Sequence, residues 1–87
     1  MILIRYTRKF IRMYSGLEPA LQEEVKERIF LFKNENNHKS LKVHKLSGRL
    51  AGRFAFSVNY KIRIVFGYED KKTVNLLYVG SHDGVYI

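Results

Sequence analysis

The sequence predicts a small α+β protein of order β-α-α-β-β-β, in which two helices pack on one face of an antiparallel sheet. Apolar residues recur at helical spacing in one stretch, alternate with polar residues in a later stretch, and are separated there by clusters of turn formers. Apolar residues make up 46% of the chain and aromatic residues 14%, enough for a packed core. Because 87 residues suffice for one such core, we expect a single domain over residues 1–87.

The first half of the chain predicts one strand followed by two helices. Residues 2–6 are β-prone, and residues 8–14 form a short helical stretch that stops at a Ser-Gly pair. Glu18 and Pro19 suit the first turn of a longer helix, because proline loses no needed donor there and a carboxylate meets the positive end of the dipole. This helix should end near residues 34–37, and its apolar stripe consists of Leu17, Leu21, Val25, Ile29 and Phe32.

The second half predicts three strands that follow a basic connector at residues 38–52. The period changes to two, which is typical of half-buried strands, and short turns are expected at residues 59–60 and 69–72. A final strand covers residues 74–80. The apolar positions of the first two strands are Phe54, Phe56, Val58, Ile62, Ile64, Phe66 and Tyr68. Such a meander needs a cover for its apolar face, and the amphipathic helices supply it.

Charge is the first indication of function. Sixteen Lys and Arg residues face eight Asp and Glu residues, a formal net charge of +8. No acid precedes Glu18 and none lies between Glu35 and Glu69, whereas half of the acids lie between Glu18 and Glu27. A segregated basic surface attracts anions, nucleic acid above all, although it also serves simply to keep a small protein in solution.

Several classes of protein are disfavoured. The chain has no cysteine, so a disulfide framework or a thiolate metal site is not available, and this fits the cytoplasm. We find no secretion signal and no run long enough to span a membrane. The three histidines, at positions 38, 44 and 82, lack metal-ligand spacing, and no phosphate-binding glycine loop is present. We therefore expect no metal, no cofactor and no membrane partner.

Strand alternation places two arginines on the face away from the helices. Ile62 and Ile64 should face the core, so Arg63 projects to the opposite side, and Arg53 does likewise. Each could be an ordinary solvated arginine. Together with the basic connector they indicate a surface that binds phosphate.

Two further groups of residues are candidates for chemistry. His82 follows the last strand, and an imidazole is the side chain best suited to transfer a proton near neutral pH. Asp83 could orient this histidine. Tyr86 could stack on a base or donate its phenolic proton. Earlier, His44 opens a basic turn flanked by Gly48 and Gly52. These glycines permit unusual backbone angles and close approach by a ligand, so a structural turn and a ligand cradle are both compatible with the pattern.

The segments HKLSGRLAGRFAFSVNYKIRIVF and LLYVGSHDGVY resemble the RelE/ParE superfamily of bacterial toxins, in particular its YafQ and RelE-type mRNA interferases. The resemblance covers nearly the whole chain. It implies an endoribonuclease that cleaves mRNA in the ribosomal A site without a metal. It also implies a partner, an antitoxin whose acidic segment wraps the toxin.

Residue by residue, the resemblance implies catalytic roles for four side chains. Arg63 matches the strand arginine that supports the phosphate, His82 the tail histidine of the YafQ type, His44 the histidine that opens the turn, and Tyr86 the terminal tyrosine. From position and charge we add contacts with RNA phosphates by Lys45, Arg49, Arg53 and Lys61.

The chain also departs from its relatives. The RelE type proper uses a lysine pair and a tail arginine, whereas here a histidine precedes Lys45 and His82 occupies the tail. This favours acid-base chemistry of the YafQ style. Two alternatives stay open: a ParE-like inhibitor that binds DNA gyrase without catalysis, since that branch shares the glycine turn, and an attenuated toxin that only binds RNA.

Overall fold

The computed structural model describes residues 1–81, over which the chain forms two α-helices and a five-stranded sheet. The elements follow in the order β1 (Leu3–Tyr6), α1 (Arg8–Ser15), α2 (Pro19–Phe32), β2 (His44–Lys45), β3 (Phe54–Ser57), β4 (Ile62–Tyr68) and β5 (Thr73–Ser81). Single 3-10 turns lie at Glu35–Asn37 and Gly48–Leu50. The α+β class and the two predicted helices are confirmed.

The sheet order is β1-β5-β4-β3-β2, and it corrects one detail of the prediction. The sheet is mixed instead of antiparallel throughout, because β1 pairs with β5 in parallel, with Leu3 opposite Thr73. A parallel pair needs a long crossover between its strands, and the two helices and the meander β3-β4-β5 supply it. The short edge strand β2 lies inside the basic connector, where we expected no strand; it pairs with β3.

Capping explains where the helices begin. The Thr7 hydroxyl oxygen accepts the N–H of Phe10 at 3.1 Å and its hydroxyl donates to the carbonyl of Leu76 at 2.8 Å, so one residue caps α1 and attaches it to β5. Glu18 is the N-cap of α2 and Pro19 its first residue, as the sequence predicts. Helix α2 ends at Phe32, just before the asparagine-rich turn.

The main core lies between the helices and one face of the sheet. At its centre Phe32 stacks on Phe56, with ring centroids 4.4 Å apart, and meets Phe66 edge-on at 4.8 Å. His38 covers the outer side of Phe32 at 4.5 Å while its Nε2 lies 2.8 Å from the Phe32 carbonyl oxygen. His38 is thus a packing residue that extends the aromatic stack.

No helix within residues 1–81 is both long and apolar enough to cross a membrane.

Candidate functional site

The sheet face opposite the helices, called the open face below, carries one continuous row of residues across four strands. His44 pairs with Ala55, Ala55 with Val65, and Val65 with Tyr78. Directly opposed residues project to the same side of a sheet, so the four side chains share one face. In the next row Ser57, Arg63 and Gly80 are neighbours. The open face therefore brings His44, Arg63 and Tyr78 together.

A second, smaller apolar cluster lies beneath this surface. Ala55 and Val65 are fully buried although they point away from the main core, because Leu46, Leu77, Tyr78 and Met13 of α1 pack against them. A β-bulge makes this possible: the register shifts at Val65 and Phe66, which are paired with Tyr78 and Leu76, so Leu77 is the extra residue. The open face therefore has a packed apolar layer beneath its surface side chains.

His44 is exposed on strand β2, and one of its ring nitrogens is held by the backbone. Nδ1 lies 2.7 Å from the carbonyl oxygen of Lys42. A carbonyl only accepts, so Nδ1 carries the hydrogen and Nε2 is the nitrogen that can take a proton. Lys42 adopts φ 59°, a left-handed conformation that is unfavourable for a residue with a side chain and that aims this carbonyl at the ring.

Arg63 is half-buried and folds back over the β3-β4 turn. Its Nη1 donates to the carbonyls of Asn59, Tyr60 and Ile62, at 2.6, 3.2 and 3.2 Å. Within residues 1–81 its Nε and Nη2 donate to no acceptor. These two nitrogens form one edge of the guanidinium, the fork that binds two oxygens of one phosphate. The turn therefore anchors one corner of Arg63 and leaves a bidentate edge for a ligand.

The turn that anchors Arg63 is itself attached to helix α2. The side-chain amide of Asn59 donates to Glu24 Oε1 at 2.8 Å, and Arg28 Nε donates to the Val58 carbonyl at 3.0 Å. The Asn59 Oδ1 also accepts the N–H groups of Lys61 and Ile62. Residues of the helix layer thus fix the position of an arginine on the other side of the sheet.

His44 and Arg63 lie on the same face of the sheet, two strands apart. From the strand spacing and the rise per residue, their Cα atoms are about 12 Å apart. The Arg63 guanidinium is bonded to the β3-β4 turn, on the side away from His44, so an RNA strand laid across the open face would contact both side chains. No described ion pair occupies either side chain: within residues 1–81 the pairs are Arg5–Glu69 and Lys26–Glu23.

Tyr78, which the sequence reasoning missed, lies at the centre of a cationic group. Arg53 Nη1 donates to its phenolic oxygen at 2.9 Å, with the guanidinium carbon 5.6 Å from the ring centroid. The ammonium of Lys9, from α1, lies 4.5 Å above the same ring. Val74 and Leu76 face the core, so simple alternation would place Tyr78 on the core side as well. The bulge at Leu77 moves Tyr78 to the open face, and nothing in the sequence predicts this bulge.

The other predicted phosphate contacts are less closely grouped. Lys45 is exposed, yet it pairs with Phe54 and so projects to the helix-covered side of the sheet edge, away from His44. Lys61 is exposed beside the β3-β4 turn. Arg49 is exposed in the 3-10 turn, where it lines a small hollow with Leu46 and Leu50. The structure groups Arg53 with His44 and Arg63 on the open face and spreads the other three around its edges.

The glycines of the basic turn serve the backbone. Gly48 and Gly52 have φ values of 64° and 89°, a region that residues with side chains rarely adopt. A Cβ built at either position would have no atom of residues 1–81 within 4 Å. No described residue therefore packs against these glycines.

Two predicted catalytic residues, His82 and Tyr86, together with Asp83, lie outside the described residues. Gly80, which is described, pairs with Arg63. Within residues 1–81, no group of three His, Cys, Asp or Glu side chains is arranged to hold a metal ion.

No protein-family model matches the sequence, and no curated protein matches it. Solved structures do. A chain of the RelBE2 toxin-antitoxin complex from Mycobacterium tuberculosis is 24% identical, with a TM-score of 0.74, over 93% of this chain and 98% of that one. YafQ from E. coli is 15% identical with a TM-score of 0.77, and the match covers 100% of both chains. The YoeB/ParE toxin from Agrobacterium tumefaciens is 14% identical with a TM-score of 0.66, over 93% and 99%.

The protein therefore has the fold of the RelE/ParE toxin superfamily, as the sequence resemblance implies. Its architecture is similar to that of the RelBE2 toxin chain, YafQ and the YoeB/ParE toxin alike.

Proposed function

We propose that this chain is the toxin of a type II toxin-antitoxin pair and acts as a ribosome-dependent endoribonuclease on mRNA. The fold supports the assignment as a toxin. The observation that carries the nuclease activity is the open face, on which His44 presents Nε2 and Arg63, two strands away, presents a bidentate edge. Such a toxin would act in the cytoplasm, with residues 1–87 as one functional domain.

The reaction needs a base, an acid and a cation, and no cofactor. The base removes the proton of a 2′-hydroxyl, and the oxygen then forms a bond to the adjacent phosphorus. The bond from phosphorus to the 5′-oxygen breaks, and the acid protonates that oxygen as it leaves with the electron pair. The products are a 2′,3′-cyclic phosphate and a 5′-hydroxyl. Negative charge grows on the non-bridging oxygens in between, so a fixed cation stabilises the transition state.

The side chains divide these roles by their chemistry. Arg63 binds the non-bridging oxygens through Nε and Nη2, because Nη1 is already engaged by the turn. His44 transfers a proton through Nε2. His82 is the complementary acid or base, and Tyr86 contacts the RNA; both roles come from the family resemblance. The remaining cations that hold the RNA backbone are Arg49, Arg53 and Lys61, whereas Lys45 faces the other side of the sheet edge and could contact RNA only around that edge.

The antitoxin is the second proposed partner, and the groove between α1 and α2 is suited to it. The groove has a volume of about 400 Å³ and lies on the helix side, away from the open face. Its wall includes Phe30, which is 73% exposed, and Ile11, which is 51% exposed. Lys26 and Lys33 flank these apolar groups. An amphipathic segment with acidic residues would pack its apolar side chains in the groove and place its carboxylates near the two lysines. The antitoxin would supply this segment.

Primer extension on cellular mRNA after induction tests the proposed activity. We expect new 5′ ends inside translated codons, and we expect them to disappear when translation initiation is blocked. Intact mRNA together with blocked DNA supercoiling would instead identify a gyrase inhibitor, an alternative that the likeness to a YoeB/ParE toxin keeps relevant. Normal growth with RNA binding alone would identify an attenuated toxin.

A further inference from the structure

A group of three residues on the open face is unexplained by the chemistry at His44 and Arg63. The phenol of Tyr78 accepts a hydrogen bond from Arg53 at 2.9 Å and lies 4.5 Å beneath the ammonium of Lys9. The residues come from α1, the start of β3 and the bulged part of β5, so tertiary structure alone assembles them. The Lys9 ammonium nitrogen lies 4.5 Å from the centre of the Tyr78 ring and the Arg53 guanidinium carbon 5.6 Å from it.

This group carries two positive charges and, among residues 1–81, no negative one. Neither Lys9 nor Arg53 forms an ion pair with a described carboxylate. Bringing two cations together around a neutral ring costs electrostatic free energy, and a bound anion would reverse the sign of that interaction. The arrangement therefore favours the binding of an anion beside these two cations.

The position of Lys9 determines which part of an RNA can bind. An aromatic ring holds a base by offering an open face, but here the ammonium covers one face of Tyr78. The phenolic oxygen is engaged by Arg53. Tyr78 thus holds two cations in place, and the group they present to solvent is suited to a phosphate.

We propose that Lys9, Arg53 and Tyr78 form a second phosphate site for the RNA strand, beside the cleavage site and separate from it. The proposal rests on the proposed function. Tyr78 pairs with Val65, two residues from Arg63 along β4, which places the Cα atoms of Tyr78 and Arg63 about 8 Å apart. A neighbouring phosphate of a strand held at Arg63 would reach the site. Lys9 and Arg53 are ligands, and Tyr78 is a positioning residue.

The test is the binding of purified protein to a short single-stranded RNA whose 2′-oxygens are methylated, so that cleavage by 2′-hydroxyl attack is blocked. The dissociation constant is measured at several salt concentrations. The logarithm of the binding constant falls linearly as the logarithm of the salt concentration rises. Each lost phosphate contact should make this line less steep by about 0.7. We expect this for Lys9→Gln and for Arg53→Gln. Lys71→Gln removes the same charge from the exposed β4-β5 turn, outside every proposed site, and should leave binding unchanged.

Tyr78→Phe separates positioning from charge. It removes the hydroxyl that holds Arg53 and keeps the ring beneath Lys9, so every charge stays in place. We expect about tenfold weaker binding, which is near the lower end of the range for one hydrogen bond to a charged group. Thermal unfolding of each variant shows whether the fold is retained.

Two results would overturn the proposal. The first is that Lys9→Gln and Arg53→Gln bind RNA as tightly as Lys71→Gln does. The second is that Lys9 and Arg53 are needed to bind an acidic peptide and not to bind the RNA. Wild-type cleavage of mRNA in either case would leave the proposed activity intact. Conversely, RNA binding that depends on Lys9 in a protein that cleaves no mRNA would support this site and contradict the nuclease.

Discussion

Arg63 Nη1 donates to the Asn59 carbonyl at 2.6 Å, which joins the most central cation of the open face to the turn that precedes its own strand. One corner of this guanidinium is bonded to the turn, and its Nε–Nη2 edge has no acceptor among residues 1–81. Its hydrogen bonds to the turn and its proposed contact with RNA are compatible, because they use different nitrogens.

Replacing Arg63 should separate activity from stability. We expect Arg63→Ala to lower the rate of RNA cleavage by about 100-fold or more, the effect of losing one preorganised group that stabilises transition-state charge. The loss in unfolding free energy should be about 1 kcal/mol, because the lost hydrogen bonds are partly exposed. Arg63→Lys keeps the charge without the bidentate edge, so it should restore little. Cleavage by Lys71→Gln at the wild-type rate is the control; full activity of Arg63→Ala would exclude the assigned role.

His44 should matter through Nε2 alone. His44→Gln keeps a polar side chain but cannot take up a proton, and we expect cleavage to fall by about 100-fold or more, the size of a general acid-base contribution. Binding of the methylated RNA should change little. His38→Gln tests a histidine that packs on Phe32 instead; it should lower the melting temperature while the folded fraction cleaves normally. If His44→Gln cleaves as fast as wild type, His44 is only a neighbour of the site.

The groove between the helices predicts a point at which antitoxin binding can be broken. Phe30 is 73% exposed, so Phe30→Glu should hardly affect folding, yet it places a negative charge in the groove that would receive an acidic segment. We expect co-purification with the product of the adjacent gene to be lost. Leu3→Glu makes the same change at a residue that is 64% exposed and outside the groove, and it should co-purify normally. Equal binding by both variants would place the antitoxin elsewhere.

Lys42 offers a test of backbone strain. Its φ of 59° is easier for glycine than for a residue with a Cβ, and hardest for a β-branched residue. We expect Lys42→Gly to match or exceed wild-type stability, by up to roughly 1 kcal/mol, and Lys42→Val to lose more than that. Urea unfolding measures both. A glycine variant less stable than the valine variant would mean that the side chain, and not the backbone, decides this position.

The aromatic stack predicts the largest loss of stability. Phe32 is fully buried and contacts Phe56, Phe66 and His38. Phe32→Ala should cost about 3–5 kcal/mol, a large share of the total stability of so small a domain. Phe30→Ala, two residues earlier on the exposed side, should cost less than about 0.5 kcal/mol. Calorimetric unfolding would show the difference, and similar costs would contradict the assignment of the core.

Local patterns predicted those parts of the fold that depend on local physics. Pro19 marked the start of α2, and alternation correctly placed Arg63 on the face away from Ile62 and Ile64, because both depend on residues adjacent in the chain. The parallel pairing of β1 with β5 depends on residues far apart, for which a single sequence offers no periodic signal. The two residues of β2 are too few to show a period.

The candidate site was predictable to a similar degree. Arg53 and His44 could be named from charge and chemistry, whereas the orientation of His44 follows from the unusual backbone of Lys42. Tyr78 reaches the open face only because of a bulge, and Lys9 joins it from a helix at the other end of the chain. Neither could be recognised before the strands were paired.

The pairing of Leu3 with Thr73 has a consequence for biosynthesis. A growing polypeptide emerges N-terminus first, so β1 and the helices leave the exit tunnel long before the strand that must lie between β1 and β4. Strand β1 and the helices therefore cannot join strands β2 to β4 in one sheet until residues 73–81 have left the tunnel.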